Sequence, residues 1–269
     1  MTNLDTKQPN MLRKGVLCVV LAAGVLSANA TITHATSRAT SSTAQGSITV
    51  SAAASLTDAF GALAREFRKE HPKVRLRFNF GSSSALVSQI QAGAPADVFA
   101  AADTSSVDKL AASGQVNKAP RIFARNSLQI AVKPGNPLKI TSLADLSKAR
   151  VVALCAKTVP CGVYAASALQ RAVVVLPESS ISRGVDAKAT IGAVVNGDAD
   201  AAVVYTTDVL AAGRSVAQVT IPKVHNVTAM YSIAAIRGSN NARAAQAFID
   251  FVTSAAGQST LVRFGFLRP

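Results

Sequence analysis

The chain contains no tryptophan, and only 3 histidines, 3 cysteines and 14 acidic residues among 269. Each scarcity removes a class of function. His34, His71 and His225 lie far apart, so no nucleophile–base pairing and no histidine metal cluster is written into the sequence. The few carboxylates form no pair at acid–base spacing, and G-x-S-x-G, H-E-x-x-H, Walker A and G-x-G-x-x-G are all missing. The sequence therefore predicts no catalytic residues, no resident metal and no cofactor. Basic residues, by contrast, number 28, for a net charge of +14. Such an excess favours anionic partners by long-range steering. The Lys and Arg residues are scattered without interleaved aromatics, which argues against nucleic acid.

Long apolar runs are equally scarce. The only one, Val16 to Ala28, follows Arg13 and Lys14 and ends at Ala28-Asn29-Ala30. It is too short for a bilayer span, which needs about 20 residues, and reads as a Sec-type signal peptide over 1–30 with an A-x-A cleavage site. Met11 is an alternative start to Met1. Cys18 has Leu17 before it, where lipoprotein processing wants a small residue, so a periplasmic protein without a lipid anchor is expected. Residues 31–46, rich in Ser, Thr and Ala, read as a disordered lead-in. Roughly 220 residues then remain, enough for one large domain or two lobes of about 100 each.

Within that span apolar strands alternate with amphipathic helices. Ile48 and Val50 run into Ala52-Ala53-Ala54-Ser55-Leu56-Thr57-Asp58, after which Phe60, Leu63, Ala64 and Phe67 recur at helical spacing. A strand ending at a helix start collects a hydroxyl, bare N–H groups and a positive dipole end in one place, which suits an anion. The plain alternative is that Ser55 or Thr57 is an ordinary N-cap. The pattern recurs: the strand Val74 to Phe80 stops at Gly81-Ser82-Ser83-Ser84, and a helix follows to Gly93. A third strand (Ala96 to Ala102) and a helix (Ser105 to Ala112) complete the series. Short βα units imply a parallel sheet with ligands beyond the carboxyl ends of its strands.

Pro134-Gly135-Asn136-Pro137 breaks the chain before a helix expected from Ser142. Arg150 to Cys155 reads as a buried strand, Pro160 as a helix start, Gly162 as a close backbone approach, Asp186 to Asn196 as a helix and Asp200 to Tyr205 as a strand. Met230 to Ile236 reads as a returning strand, with helices at Asn241 to Thr253 and Gln258 to Phe264. The expected organisation is an α/β protein of two βα lobes, lobe 1 from 47–126 and 229–269 and lobe 2 from 127–228, with a ligand cleft between them. Once Cys18 is removed, Cys155 and Cys161 remain. Export and an even count favour a disulfide, with two free thiols as the alternative.

Ile48-Thr49-Val50-Ser51-Ala52-Ala53-Ala54-Ser55-Leu56, Ser82-Ser83-Ser84, Gly93-Ala94-Pro95-Ala96-Asp97-Val98-Phe99, Val159-Pro160-Cys161-Gly162 and Val204-Tyr205-Thr206-Thr207-Asp208 occur in this order. Together they resemble the periplasmic molybdate-binding proteins of molybdate ABC transporters, from about Ser47 to Pro269. The resemblance implies a type II periplasmic-binding-protein fold that closes on a tetrahedral oxyanion, molybdate or tungstate, and delivers it to a membrane permease. It implies a monomer whose molybdenum is met only as the bound oxyanion. Carried over motif by motif, Ser55 and Ser83 would give hydroxyl and N–H, Cys161 and Ala187 their backbone N–H, and Tyr205 its hydroxyl.

A fully ionised dianion needs only donors, and hydroxyls and amides at helix starts provide them. Hydrogen phosphate carries a proton and wants an acceptor. Asp58 and Asp208, near the turns, are expected to brace the helix starts. The alternatives are a sulfate or phosphate binder, a secreted phosphate or sulfate ester hydrolase with an activated serine, and the effector domain of a transcription regulator.

Overall fold

A computed structural model describes residues 44–269. The signal peptide over 1–30, Cys18, His34, the start at Met1 or Met11 and all but the last three residues of the lead-in lie outside the described residues. Of that lead-in, Gly46 already belongs to the first strand.

The first sheet is built from β1 (Gly46–Ala53), β2 (Val74–Gly81), β3 (Val98–Ala101) and β4 (Arg121–Asn126), with helices α1 (Thr57–Glu70), α2 (Ser83–Gln91) and α3 (Ser105–Ala112) on the crossovers. The chain then builds a second sheet from β5 (Leu128–Val132), β6 (Val152–Cys155), β7 (Ile181–Gly184), β8 (Ala201–Tyr205) and β9 (Ala217–Thr220), with α4 (Pro160–Arg171), α5 (Ala187–Val195) and α6 (Thr206–Ala212). It returns to the first through β10 (Ala229–Ala235) and finishes in α7 (Ala242–Thr253) and α8 (Ala255–Arg263).

The sheet orders are β2-β1-β3-β10-β4 and β7-β6-β8-β5-β9. In each, three parallel strands adjoin an antiparallel one, β10 against β3 and β5 against β8. One residue, Ser127, separates β4 from β5. The two crossings between lobes are clipped together: the Asn226 amide donates to Leu128 O (2.9 Å) and accepts from Leu128 N–H (3.0 Å).

The helical spacing of Phe60, Leu63 and Phe67 buries all three against the sheet. Phe248 of α7 meets Phe60 and Phe67 edge-on at centroid distances of 5.8 and 5.4 Å. Three strands escape the sequence pattern, β4, β7 and β9, each at the edge of its sheet. The helix expected from Ser142 is a 3-10 turn, Ala144–Lys148. The last helix begins at Ala255, where Ser254 accepts the Gly257 N–H, rather than at Gln258. Among the described residues no helix is long and apolar enough to cross a membrane.

Candidate oxyanion site

Strand register decides what meets at the carboxyl edge of each sheet. Ala53 of β1 pairs with Gly81 of β2, and Ala52 with Ala100 of β3, so the turns after β1, β2 and β3 emerge side by side. In the second sheet Cys155 pairs with Gly184, and Leu154 with Val203, which brings the starts of α4, α5 and α6 together. The two edges face one another around a narrow pocket. The first sheet contributes Ala53, Ala54, Ser55, Gly81, Ser82, Ser83 and Ala102 to its wall. The second contributes Val159, Pro160, Cys161, Asp186, Ala187 and Tyr205. All five residues singled out from the sequence therefore line one cavity.

Its chemistry is that of donors. Ser83, Pro160 and Ala187 are the first residues of α2, α4 and α5, and Tyr205 is the N-cap position of α6. The opening N–H groups of a helix have no acceptor within it and carry the positive end of its dipole. Ser55 sits in a 3-10 turn, Ala54–Leu56, ahead of α1 and is not its cap; no side chain caps that helix. In the second turn Ser82 takes the capping role, its Oγ accepting the Ala85 N–H, which leaves Ser83 free. Ser83 Oγ accepts the Ala102 N–H at 3.0 Å. Its own proton is then available to a ligand.

No lysine, arginine or histidine lines the wall, and its one carboxylate, Asp186, accepts the Ala189 N–H at 2.9 Å. Tyr205, 1% exposed, has a hydroxyl with no hydrogen-bond partner. Burial first, then neighbouring negative charge, pushes its pKa well above the usual value, so it remains a donor. An orphaned buried hydroxyl costs about 1–3 kcal/mol; a ligand oxygen in the cavity relieves that cost.

Asp58 and Asp208, expected to brace helix starts, stand in the first turns of α1 and α6. Asp58 forms an ion pair with Lys188 of α5, joining the lobes at the rim of the cavity. Asp208 is buried in α6, and neither oxygen makes a hydrogen bond of good geometry. Cys155 and Cys161 are disulfide-bonded, with Cα atoms 5.8 Å apart, so the end of β6 is tied to the start of α4. Replacing both by alanine is expected to lower stability by about 2 kcal/mol, as for a short loop, and urea unfolding of the variant beside the wild type measures it.

Sequence reasoning missed Tyr231 and Asn126. Tyr231 Oη lies 2.8 Å from Ser55 Oγ and its ring meets that of Tyr205 edge-on at 5.8 Å. Asn126 donates to Tyr231 Oη (3.3 Å) and to Thr207 Oγ1 (2.9 Å) across the lobes. In sequence Tyr231 looks like an ordinary residue of the returning strand and Asn126 falls outside every predicted strand, so no local signal distinguishes either. Among the described residues no group of three His, Cys, Asp or Glu side chains could hold a metal ion.

A family model described as "Bacterial extracellular solute-binding protein" matches residues 48–267. The Molybdate-binding protein ModA of Mycobacterium tuberculosis strain H37Rv is 35% identical over 261 residues, covering 96% of this chain and 98% of that protein. Among solved structures, the periplasmic molybdate-binding protein of Azotobacter vinelandii superposes with a TM-score of 0.73 at 19% identity, covering 82% of this chain and 99% of that one. The sulfate-binding protein SubI of M. tuberculosis H37Rv gives 0.75 at 20% identity, over 82% and 86%. At those identities the two structures speak to the fold alone.

Proposed function

The chain belongs to the bacterial extracellular solute-binding protein family, and from that premise we propose that it captures molybdate, and tungstate as its near equal in size, for delivery to an ABC transporter permease. It is a binding component of transport and not an enzyme. The bound dianion is held by the hydroxyls and N–H groups of Ser55 and Ser83, the N–H groups of Cys161 and Ala187, and the Tyr205 hydroxyl. Lobe 1, residues 47–126 and 229–269, and lobe 2, residues 127–228, close on it about the crossings near 127 and 229. The protein acts as a monomer, exported by the segment 1–30 and free of a lipid anchor.

The observation that carries this reading is the Tyr205 hydroxyl, buried and unpartnered beside a wall of helix starts. Each hydrogen bond to a charged group contributes about 1.5–3 kcal/mol, and several together, after an association cost of roughly 4–15 kcal/mol, leave a micromolar or tighter complex. The wall is made mostly of donors, and its one carboxylate, Asp186, caps α5 through the Ala189 N–H.

Titration calorimetry with molybdate, tungstate, sulfate and phosphate tests the proposal. Molybdate and tungstate are expected to bind tightest; tight sulfate binding without a molybdate response would sink it. Tyr205→Phe is expected to weaken molybdate binding by about 1.5–3 kcal/mol without loss of folding. An unchanged affinity would show that Tyr205 does not reach the ligand.

A further inference from the structure

Ser55 is one of four hydroxyls on the wall, with Ser82, Ser83 and Tyr205, and a hydroxyl can donate or accept. What surrounds it decides which. Asn126, the last residue of β4, is fully buried, and its side-chain oxygen accepts the Ser127 N–H at 2.9 Å. That contact orients the amide, so Nδ2 faces Thr207 Oγ1 and Tyr231 Oη and donates to both. Tyr231 Oη, accepting from Asn126, has its proton left for Ser55 Oγ at 2.8 Å. Ser55 Oγ, accepting from Tyr231, cannot give its proton back to it, so that proton is left for the cavity beside one remaining lone pair.

We propose that Asn126 and Tyr231 are specificity-determining positioning residues: they turn the Ser55 proton away from Tyr231 and toward the ligand, so that the site favours fully ionised oxyanions over those that carry a proton. The inference rests on the oxyanion-binding reading above and adds to it two residues that do not line the cavity. The Ala102 N–H does the same for Ser83 from the other side. The Thr207 contact places part of this chain of hydrogen bonds across the lobe boundary. The polarity of Ser55 is thus coupled to the packing of α6 against β4.

Tyr231→Phe tests this while keeping the ring contacts with Phe123, Tyr205 and Phe266. Freed of its donor, Ser55 can turn to accept from a protonated ligand. Molybdate affinity is expected to fall about tenfold, the loss of roughly one hydrogen bond to an anion, while hydrogen phosphate at pH 8 binds more tightly than it does to the wild type. In a Ser55→Ala background, adding Tyr231→Phe is expected to change neither anion further.

An equal loss for both anions, an unchanged molybdate affinity, phosphate binding that stays below detection in Tyr231→Phe, or the same effect in the Ser55→Ala background each overturns the proposal. A wild type that binds sulfate and not molybdate fails the molybdate reading alone. The same comparison then runs with sulfate against phosphate and judges the positioning role separately.

Discussion

Gly162→Ala is expected to lower molybdate affinity by at least about 100-fold and to destabilise lobe 2 in the same variant. Gly162 is the third residue of α4, one past the proposed N–H donor Cys161. A Cβ there would stand 2.0 Å from the Ala156 carbonyl oxygen, 2.8 Å from its carbon and 2.9 Å from Cys155 O. All three are backbone atoms and none can rotate aside. The Cys155–Cys161 disulfide holds the same turn from its two ends, so the start of α4 must shift as a unit or the strand end must give.

Overpacking of this kind costs about 1–3 kcal/mol in stability. Hydrogen bonds weaken steeply once distance and angle depart from ideal, so a displaced α4 withdraws Cys161 N–H and the dipole behind it together. Gly61→Ala and Gly192→Ala are the controls. Both sites are helical with nothing within 4 Å of the added carbon, and alanine there is expected to be neutral or stabilising by up to about 1 kcal/mol. Calorimetric titration and thermal unfolding of the three variants separate a lost donor from a lost fold. Wild-type affinity in Gly162→Ala would remove α4 from the site.

The same turn shows what could be read in advance. A strand ending in small residues before an apolar helical pattern is a local signal, and it marked the turns that carry Ser55 and Ser83. Which serine caps was not readable. Ser82 takes that role because its backbone is extended, at φ −66° and ψ 143°, while Ser83 is already inside the helix. The strands that escaped notice, β4, β7 and β9, are edge strands. Pairing on one side only leaves them half exposed, so residues such as Arg121, Ser182, Arg183 and Gln218 interrupt any apolar run without penalty.

Tyr231 was hidden for a different reason. It lies 176 residues from Ser55, in a strand whose burial explains an aromatic on its own, and its hydroxyl acquires meaning only once β10 returns beside β3. Asp208 stands in the first turn of α6, and what its sequence position does not show is its burial. A carboxylate in the first turn of a helix ordinarily faces water and supports the dipole; here the helix start is roofed by both lobes, and the side chain is 1% exposed.

That burial sets the second large effect, expected in Asp208→Asn. Desolvation is the leading cause that pushes the Asp208 pKa from its ordinary 3.8 up to about 7; Lys188 and then the backbone of Tyr205 pull it back, and Asp186 and Asp58 push it further. Because the folded value is the higher one, the folded protein holds more protons than the unfolded chain between about pH 4 and 7, and stability must fall as pH rises through that window. The stability associated with the neutral carboxyl is fully present below pH 4 and is gone above the folded value. The interval from 3.8 to about 7 corresponds to roughly 4 kcal/mol when fully developed.

Asparagine preserves the shape and cannot ionise. Urea unfolding at pH 5 and pH 8 is therefore expected to show the variant more stable than the wild type at pH 8 by up to about that amount, with the difference much reduced at pH 5. Parallel stability curves would mean that Asp208 ionises in the folded protein as it does in water. The ligand enters with the same sign: a dianion beside Tyr205, the N-cap of the helix that carries Asp208, favours the neutral carboxyl. Wild-type molybdate affinity is expected to weaken between pH 6 and 8, and affinity in Asp208→Asn to stay level, because there the helix start meets the anion without a competing negative charge behind it.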